Sequence, residues 1–385
     1  MRVAMLGWEF PPFIAGGLGV HCYHLTQELA KLGARVDFYM PFAAGANPDS
    51  APWMRMLRVR GARPRGPYGE ARGELPQKPG ESFNAAVMRY NAALVAAFDS
   101  RDADVIHAHD WITFPAAVAL HRATRKPLVV TVHSTEYDRC AEMFPQREVV
   151  GIERDGVTGA TMVIGVSRRT VDQLVERYGA RPERCRAVHN GVDTRRYEPL
   201  ARRRDYSEEG LVTFMSRLTP QKGAHHFLHV AERVLERHDA QFAIGGTGPL
   251  FQELAREVVA KRIQDKVDLL GFVPDAEVPE LYGKSAVYML PSVSEPFGIS
   301  VLEAAACGVP VVMSRTCGVA EAMPHALLAD FWDVDLMAEC VAALLDHASL
   351  RRTMGRAGAR SAKALTWEAC ARSTLKVYEE ALACS

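Results

Sequence analysis

The sequence predicts an α/β protein built from two doubly wound, Rossmann-like parallel-sheet domains, and three observations carry this. Short apolar runs alternate with helical patterns almost from end to end. The alternation pauses once, around residue 200, and then resumes. At 385 residues the chain also exceeds the roughly 250–300 residues at which a single core stops growing. Strand–helix alternation is the pattern of a parallel sheet covered by helices.

The elements follow in order. Residues 3–6, 36–40, 105–107, 128–132 and 162–166 are runs rich in Val, Ile and Leu, as expected of strands buried on both faces. Between the first two, residues 20–31 place Leu25 and Leu29 at helical spacing with Leu32 beyond, and Gly33 stands where the helix stops. Residues 195–210 are polar and lack periodicity, with Arg202, Arg203 and Arg204 followed by Glu208, Glu209 and Gly210, and read as an interdomain linker. The second series of strands is 211–215, 242–244, 267–270, 287–290 and 309–313. Residues 367–382 read as a final helix behind Thr366, a good N-cap. The expected division is residues 1–198, 199–366 and a last helix, 367–385, that crosses back to the first domain. Residues 45–81 fit neither pattern, being broken by Pro48, Pro52, Pro64, Pro67 and Pro76, and read as a long loop. Its arginines (Arg55, Arg58, Arg60, Arg63, Arg65) either meet a phosphate or membrane surface or simply face solvent.

Composition narrows the function class. Hydrophobic residues are 48% and charged residues 24%, an ordinary globular balance. Lys+Arg and Asp+Glu both total 46, so no global field favours nucleic acid or an anionic membrane. The eight cysteines show no CxxC pairs and read as reduced thiols of a cytosolic chain. Neither a signal peptide nor the roughly 18-residue apolar stretch of a membrane span is present, which points to a soluble, cytoplasmic protein.

Three segments carry chemistry. The turn after the first strand, Pro11-Pro12-Phe13-Ile14-Ala15-Gly16-Gly17-Leu18-Gly19, is either a tight turn or an anion site at a helix N-terminus. It is neither the GxGxxG fingerprint nor a Walker loop. After the first strand of the second domain, Arg217 and Lys222 flank a turn where a guanidinium fork and a point charge can converge on one diphosphate. Ligands of open α/β sheets bind beyond the carboxyl ends of strands, where this loop lies. The third segment holds Glu295 in a loop and Glu303 about two turns into a helix beginning near Phe297. Its carboxylates suit sugar hydroxyls, and the amides of Gly298, Ile299 and Ser300 suit a phosphate. A glutamate within the apolar run 299–306 is costly unless paired.

Together these residues resemble the family 4 and family 5 glycosyltransferases of GT-B fold. The resemblance extends to residues 104–111 (DVIHAHDW), Val132-His133-Ser134, residues 188–193 (VHNGVD), Gly246-Thr247-Gly248 and Gly271-Phe272-Val273, all in family order over nearly the whole chain. It implies two Rossmann-like domains facing a central cleft. Arg217 and Lys222 would hold the donor diphosphate, helped by Gly16 and Gly17. Gly246 and Gly248 would also approach the donor, Glu303 would bind the ribose, Glu295 the transferred sugar, and Phe272 and Val273 the base. His133 would lie beside the sugar.

The resemblance implies a metal-independent, retaining hexosyltransferase with no cofactor. Asp102–Asp104 and Asp333–Asp335 read as structural rather than as a metal-holding acidic pair. His107 and His109 flank a strand end, but no further ligand can be placed beside them, so hydrogen bonding is their expected role. His225 and His226 read as solvent-facing, and Asp110 as an acceptor contact or an N-cap. The expected reaction moves glucose from ADP- or UDP-glucose to a saccharide acceptor such as an α-glucan. Ile14 stands where family 5 synthases carry lysine, so a family 4 transferase with a small or lipid-linked acceptor is the alternative. A sugar-nucleotide epimerase and a nucleotide-sugar sensor without turnover are the more distant readings.

Overall fold

The computed structural model describes residues 1–11, 16–41, 51–59, 82–99, 103–203 and 210–384. They form two compact units. The first comprises Met1–Tyr137, Phe144–Asn190 and Trp367–Ser385, the second Asp138–Met143 and Gly191–Thr366.

The first unit carries a seven-stranded parallel sheet of β1 (Arg2–Leu6), β2 (Arg35–Pro41), β3 (Arg55–Val59), β4 (Val105–His109), β5 (Leu128–Val132), β6 (Met162–Gly165) and β7 (Cys185–Ala187). Its spatial order is β3-β2-β1-β4-β5-β6-β7, so the winding reverses between β1 and β4. Every residue of β4 and β5 is buried, which is why β5 is apolar but for Thr131, while β4 carries His107 and His109 among its buried positions. The second unit has six parallel strands: β8 (Leu211–Met215), β9 (Gln241–Gly245), β10 (Val267–Gly271), β11 (Val287–Leu290), β12 (Val311–Ser314) and β13 (Leu327–Ala329). Their order is β10-β9-β8-β11-β12-β13, with the reversal between β8 and β11.

Side-chain anchors fix the first unit. The hydroxyl of Tyr90 donates to the carbonyls of Gly7 (2.8 Å) and Tyr39 (3.2 Å), tying the carboxyl ends of β1 and β2 to the helix Phe83–Ala97. The helix Trp367–Ala383 belongs to this unit. Its Trp367 stacks on His24 at 4.9 Å, Tyr378 meets His107, and Glu380 pairs with Arg186 at 2.7 Å.

The structure revises three expectations. Residues 45–81 are not wholly loop, because β3 pairs with β2 and Arg55 donates from Nε to Asp37 at 2.8 Å. Residues 45–50 and 60–81, with Arg60, Arg63 and Arg65, lie outside the described residues. The stretch read as a linker contains the helix Thr194–Arg203, and the unit boundary falls at Asn190/Gly191 rather than after residue 198. That helix buries Tyr197 against the second unit while Arg196 pairs with Asp275 and Glu198 with Lys363. One buried aromatic among polar residues leaves no periodic trace. Finally, His225 and His226 are half-buried, not solvent-facing: His225 pairs with Glu257, and His226 packs against Phe331.

All eight cysteines are free thiols. Among the described residues no helix is long and apolar enough to cross a membrane.

Candidate active site

In the second unit the carboxylate and cation motifs meet at the carboxyl ends of β8 and β11, the reversal point where open α/β sheets bind ligands. The turn after β8 carries Arg217, partly buried, and Lys222, nearly buried. Lys222 Nζ lies 2.6 Å from Glu295 Oε2, with side-chain exposures of only 11% and 10%. The sequence placed these two residues on different parts of a donor; the fold pairs them. Screening is weak at such burial, and each charge depends on the other.

Backbone contacts knit the two loops. The amide of Val293 donates to Gln221 O at 2.9 Å, and a Cβ at Gly223 (φ +72°) would stand 1.9 Å from Pro291 O. Glu295 is itself clamped: its amide donates to Thr316 O and its carbonyl accepts from Gly318 N at 2.8 Å. Ser294 Oγ donates to the buried Asp138 at 2.6 Å.

The Gly246-Thr247-Gly248 turn follows β9 and acts on its neighbour. Leu218 N donates to Thr247 O (2.9 Å), and Gly246 N to Gly271 O (2.7 Å). A Cβ at Gly246 (φ +133°) would meet Ser216 O at 1.8 Å, and one at Gly248 would meet Leu218 O at 2.4 Å. These glycines therefore let the Arg217 turn settle onto the β9 loop. Gly246→Ala is expected to cost about 2–4 kcal/mol, from left-handed backbone and backbone overlap together. Thermal unfolding reads the loss, and it should be accompanied by reduced turnover because Arg217 is displaced. Phe272, 58% exposed, and Val273 follow β10 at the edge of the same row of loops.

Glu303 sits about one turn into the helix Ile299–Ala306, which begins two residues later than the sequence suggested. Gly298 precedes it at φ +109°, and Ser300 Oγ accepts from the hydroxyl of Tyr288 at 2.8 Å. Burial raises the Glu303 carboxyl from its ordinary 4.5 to about 7, against the pull of Tyr197, Arg196 and Tyr282, with Asp275 adding to the rise. Tyr197, Arg196 and Tyr282 lie far from the motif in sequence, and only the helix Thr194–Arg203 announces the first two.

The first unit presents its own residues at the reversal between β1 and β4. Gly16 and Gly17 open the helix Gly17–Lys31, whose first turn holds no acidic residue. Pro12–Ala15 lie outside the described residues. His109 ends β4 and His133 follows β5, their Nδ1 and Nε2 atoms 3.0 Å apart. His21, from the same helix, stacks edge-on to His133 with ring centroids 4.4 Å apart. Burial holds His133 down at about 3, and burial first, then neighbouring histidines, lowers His21 and His109. All three rings are therefore neutral near pH 7. The expectation that His109 lacked further ligands does not survive, because the fold supplies His21 and His133. His107, by contrast, is committed to the hydroxyls of Thr131 (2.7 Å) and Tyr378 (2.6 Å). Asp110 is not an N-cap, a position that Thr113 holds; its Oδ1 accepts from the His133 amide at 2.7 Å and fixes the β5 loop.

The acidic pairs have other work. Asp104 accepts from Arg2 N at 2.7 Å, and Asp333 caps the helix Val334–Asp346. Asp102 lies outside the described residues.

Known proteins resemble the chain along both units. Residues 15–196 match the family described as Glycosyltransferase Family 4, and residues 200–361 match Glycosyl transferases group 1. The chain is 30% identical to a D-inositol 3-phosphate glycosyltransferase of Kribbella flavida, covering 99% of this chain and 96% of that one. It is 29% identical to a glycogen synthase of Mycobacterium tuberculosis, over 98% and 94%. Among solved structures, sucrose-phosphate synthase from Thermosynechococcus elongatus superimposes with a TM-score of 0.82 over 100% of both chains at 22% identity, which shows a shared fold. Matches that span both parallel-sheet units, and a relative of such identity along the whole chain, establish that the protein belongs to glycosyltransferase family 4, with a GT-B fold.

Proposed function

We propose that this glycosyltransferase moves glucose from ADP- or UDP-glucose to a saccharide acceptor with retention of anomeric configuration. The observation that carries the reading is the Lys222–Glu295 ion pair between the loops that follow the adjacent strands β8 and β11, with Arg217 on the first loop and Glu303 in the helix after the second. In this reading Arg217 and Lys222 hold the departing diphosphate, and Gly16 and Gly17 offer backbone N–H groups to it. Glu303 accepts from the ribose hydroxyls, Glu295 positions the sugar, and Phe272 and Val273 meet the base. The Gly298, Ile299 and Ser300 backbone at the helix start faces developing phosphate charge. His133 is neutral near pH 7, so it serves the sugar as a hydrogen-bonding partner rather than as a general acid. The anomeric carbon loses its phosphate oxygen and gains the acceptor oxygen on the same face, and the leaving phosphate takes the acceptor proton. Fixed positive charge at the leaving group supplies the main stabilisation.

An α-glucan acceptor accords with the likeness to a glycogen synthase. A small-molecule acceptor is the second reading, favoured by Ile14 and by the likeness to a D-inositol 3-phosphate glycosyltransferase. Thermal unfolding with a panel of nucleotide-sugars tests the donor. A true donor at a hundred times its Kd should stabilise by about 2.7 kcal/mol. Stabilisation by none of the ADP- and UDP-sugars, or one undiminished in Arg217→Ala, overturns the assignment.

Transfer is further expected to be metal-independent, since Asp104 and Asp333 are engaged elsewhere. Activity should survive exhaustive EDTA treatment. A loss restored only by Mg²⁺ or Mn²⁺ would place a cation at the diphosphate.

A further inference from the structure

We propose that His21, His109 and His133 form a three-imidazole site for a divalent first-row cation of the zinc class, distinct in place and chemistry from the diphosphate site. The three rings come from three elements: the helix Gly17–Lys31, the end of β4 and the loop after β5. One ring nitrogen from each lies within 4.8 Å of the other two. Ligands held about 2.0–2.1 Å from one ion stand roughly 3.3–3.5 Å apart, so small ring rotations close the set. The His109–His133 pair, at 3.0 Å, is already near that spacing.

The ligand chemistry fits. His21 Nδ1 lies 2.7 Å from Asn190 Oδ1, and with that oxygen as acceptor the ring proton sits on Nδ1. The Nε2 lone pair then faces inward, as a hydrogen-bonded imidazole ligand requires. His21 Nε2 and His109 Nε2 are buried and make no hydrogen bond. An orphaned nitrogen in a buried cluster is uncommon in native interiors, and a cation held by His109 Nδ1 and His133 Nε2 satisfies the one on His21. Three imidazoles select zinc-like ions over Mg²⁺ and Ca²⁺, which prefer oxygen.

Occupation has a consequence that rests on the function proposed above. With His133 bound to the cation, the ring is withdrawn from the transferred sugar, and the ion inhibits rather than assists.

The test uses the full chain, stripped with chelator and titrated with Co²⁺ or Zn²⁺ alone. Saturable binding is expected, with the visible d–d bands of tetrahedral Co²⁺ and none of this competition from Mg²⁺. His21→Gln and His109→Gln should each weaken binding by about tenfold or more, with circular dichroism confirming that each variant is folded. Absence of saturable binding overturns the site, as does binding unchanged in both folded variants. In the transferase assay, Zn²⁺ should inhibit at the concentration where it binds, reversibly with EDTA, and His21→Gln should resist. Binding at the histidines without inhibition would leave the metal site standing and overturn the placement of His133 beside the sugar.

Discussion

Arg217→Ala is expected to lower kcat by about 10²–10³, the usual cost of removing one preorganised charge partner, with little change in melting temperature. Lys222→Ala should lose turnover to a similar degree and stability as well. The difference comes from Glu295. Its carboxylate faces Lys222 across 2.6 Å with only 10% of the side chain exposed, and truncating the lysine leaves a nearly buried carboxylate without its cation. Breaking such a pair typically costs about 3–5 kcal/mol. From the sequence alone, the two substitutions look equivalent and structurally harmless. Steady-state kinetics and thermal unfolding on both variants check the contrast. Near-normal kcat in both would sink the diphosphate assignment, and equal melting temperatures would show that Lys222 and Glu295 do not depend on each other.

Donor affinity should rise with pH and level off above about 7, and Glu303→Gln should abolish that dependence. Burial raises the Glu303 carboxyl from 4.5 to about 7 in the fold. Between those values the folded chain binds more protons than the unfolded one. This group therefore makes the fold progressively less stable as pH rises through that window, fully above 7 and not at all below 4.5. On the proposed reading a ribose diol donates to the ionised carboxylate, so donor binding would favour loss of that proton and strengthen as pH climbs. Glu303→Gln should accordingly weaken nucleoside diphosphate binding, raise KM, and melt higher than wild type at pH 8 but not at pH 5. On the proposed reading, in which Glu295 faces the sugar where charge develops, Glu295→Gln should leave diphosphate binding nearly intact and lower kcat. Calorimetric titration of both variants across pH separates the roles. A Glu303→Gln protein that melts lower at every pH with unchanged affinity would reduce Glu303 to a helix-stabilising residue.

What the sequence determined by itself was the part written in local pattern. Strands buried on both faces, such as β5 and β11, are almost wholly apolar runs, and they fixed the α/β class and the two-unit plan. The Arg217, Glu295 and Glu303 motifs were legible because each follows or spans a strand-to-helix turn whose position the pattern gives. Tertiary structure decided the rest. The strands that escaped notice, β3, β7 and β13, are all sheet edges; with one partner and partial exposure, they need no continuous apolar run. Tyr197 and Glu303 meet across more than a hundred residues, so neither their contact nor the carboxyl's altered proton affinity has a local signature. The histidines are the clearest case. His107 and His109 stand two apart on β4, yet parallel strand geometry sends the first to Tyr378 and Thr131 and gathers the second with His21 and His133. Spacing within one strand shows which residues share a face, and only the winding of the sheet determines what that face meets.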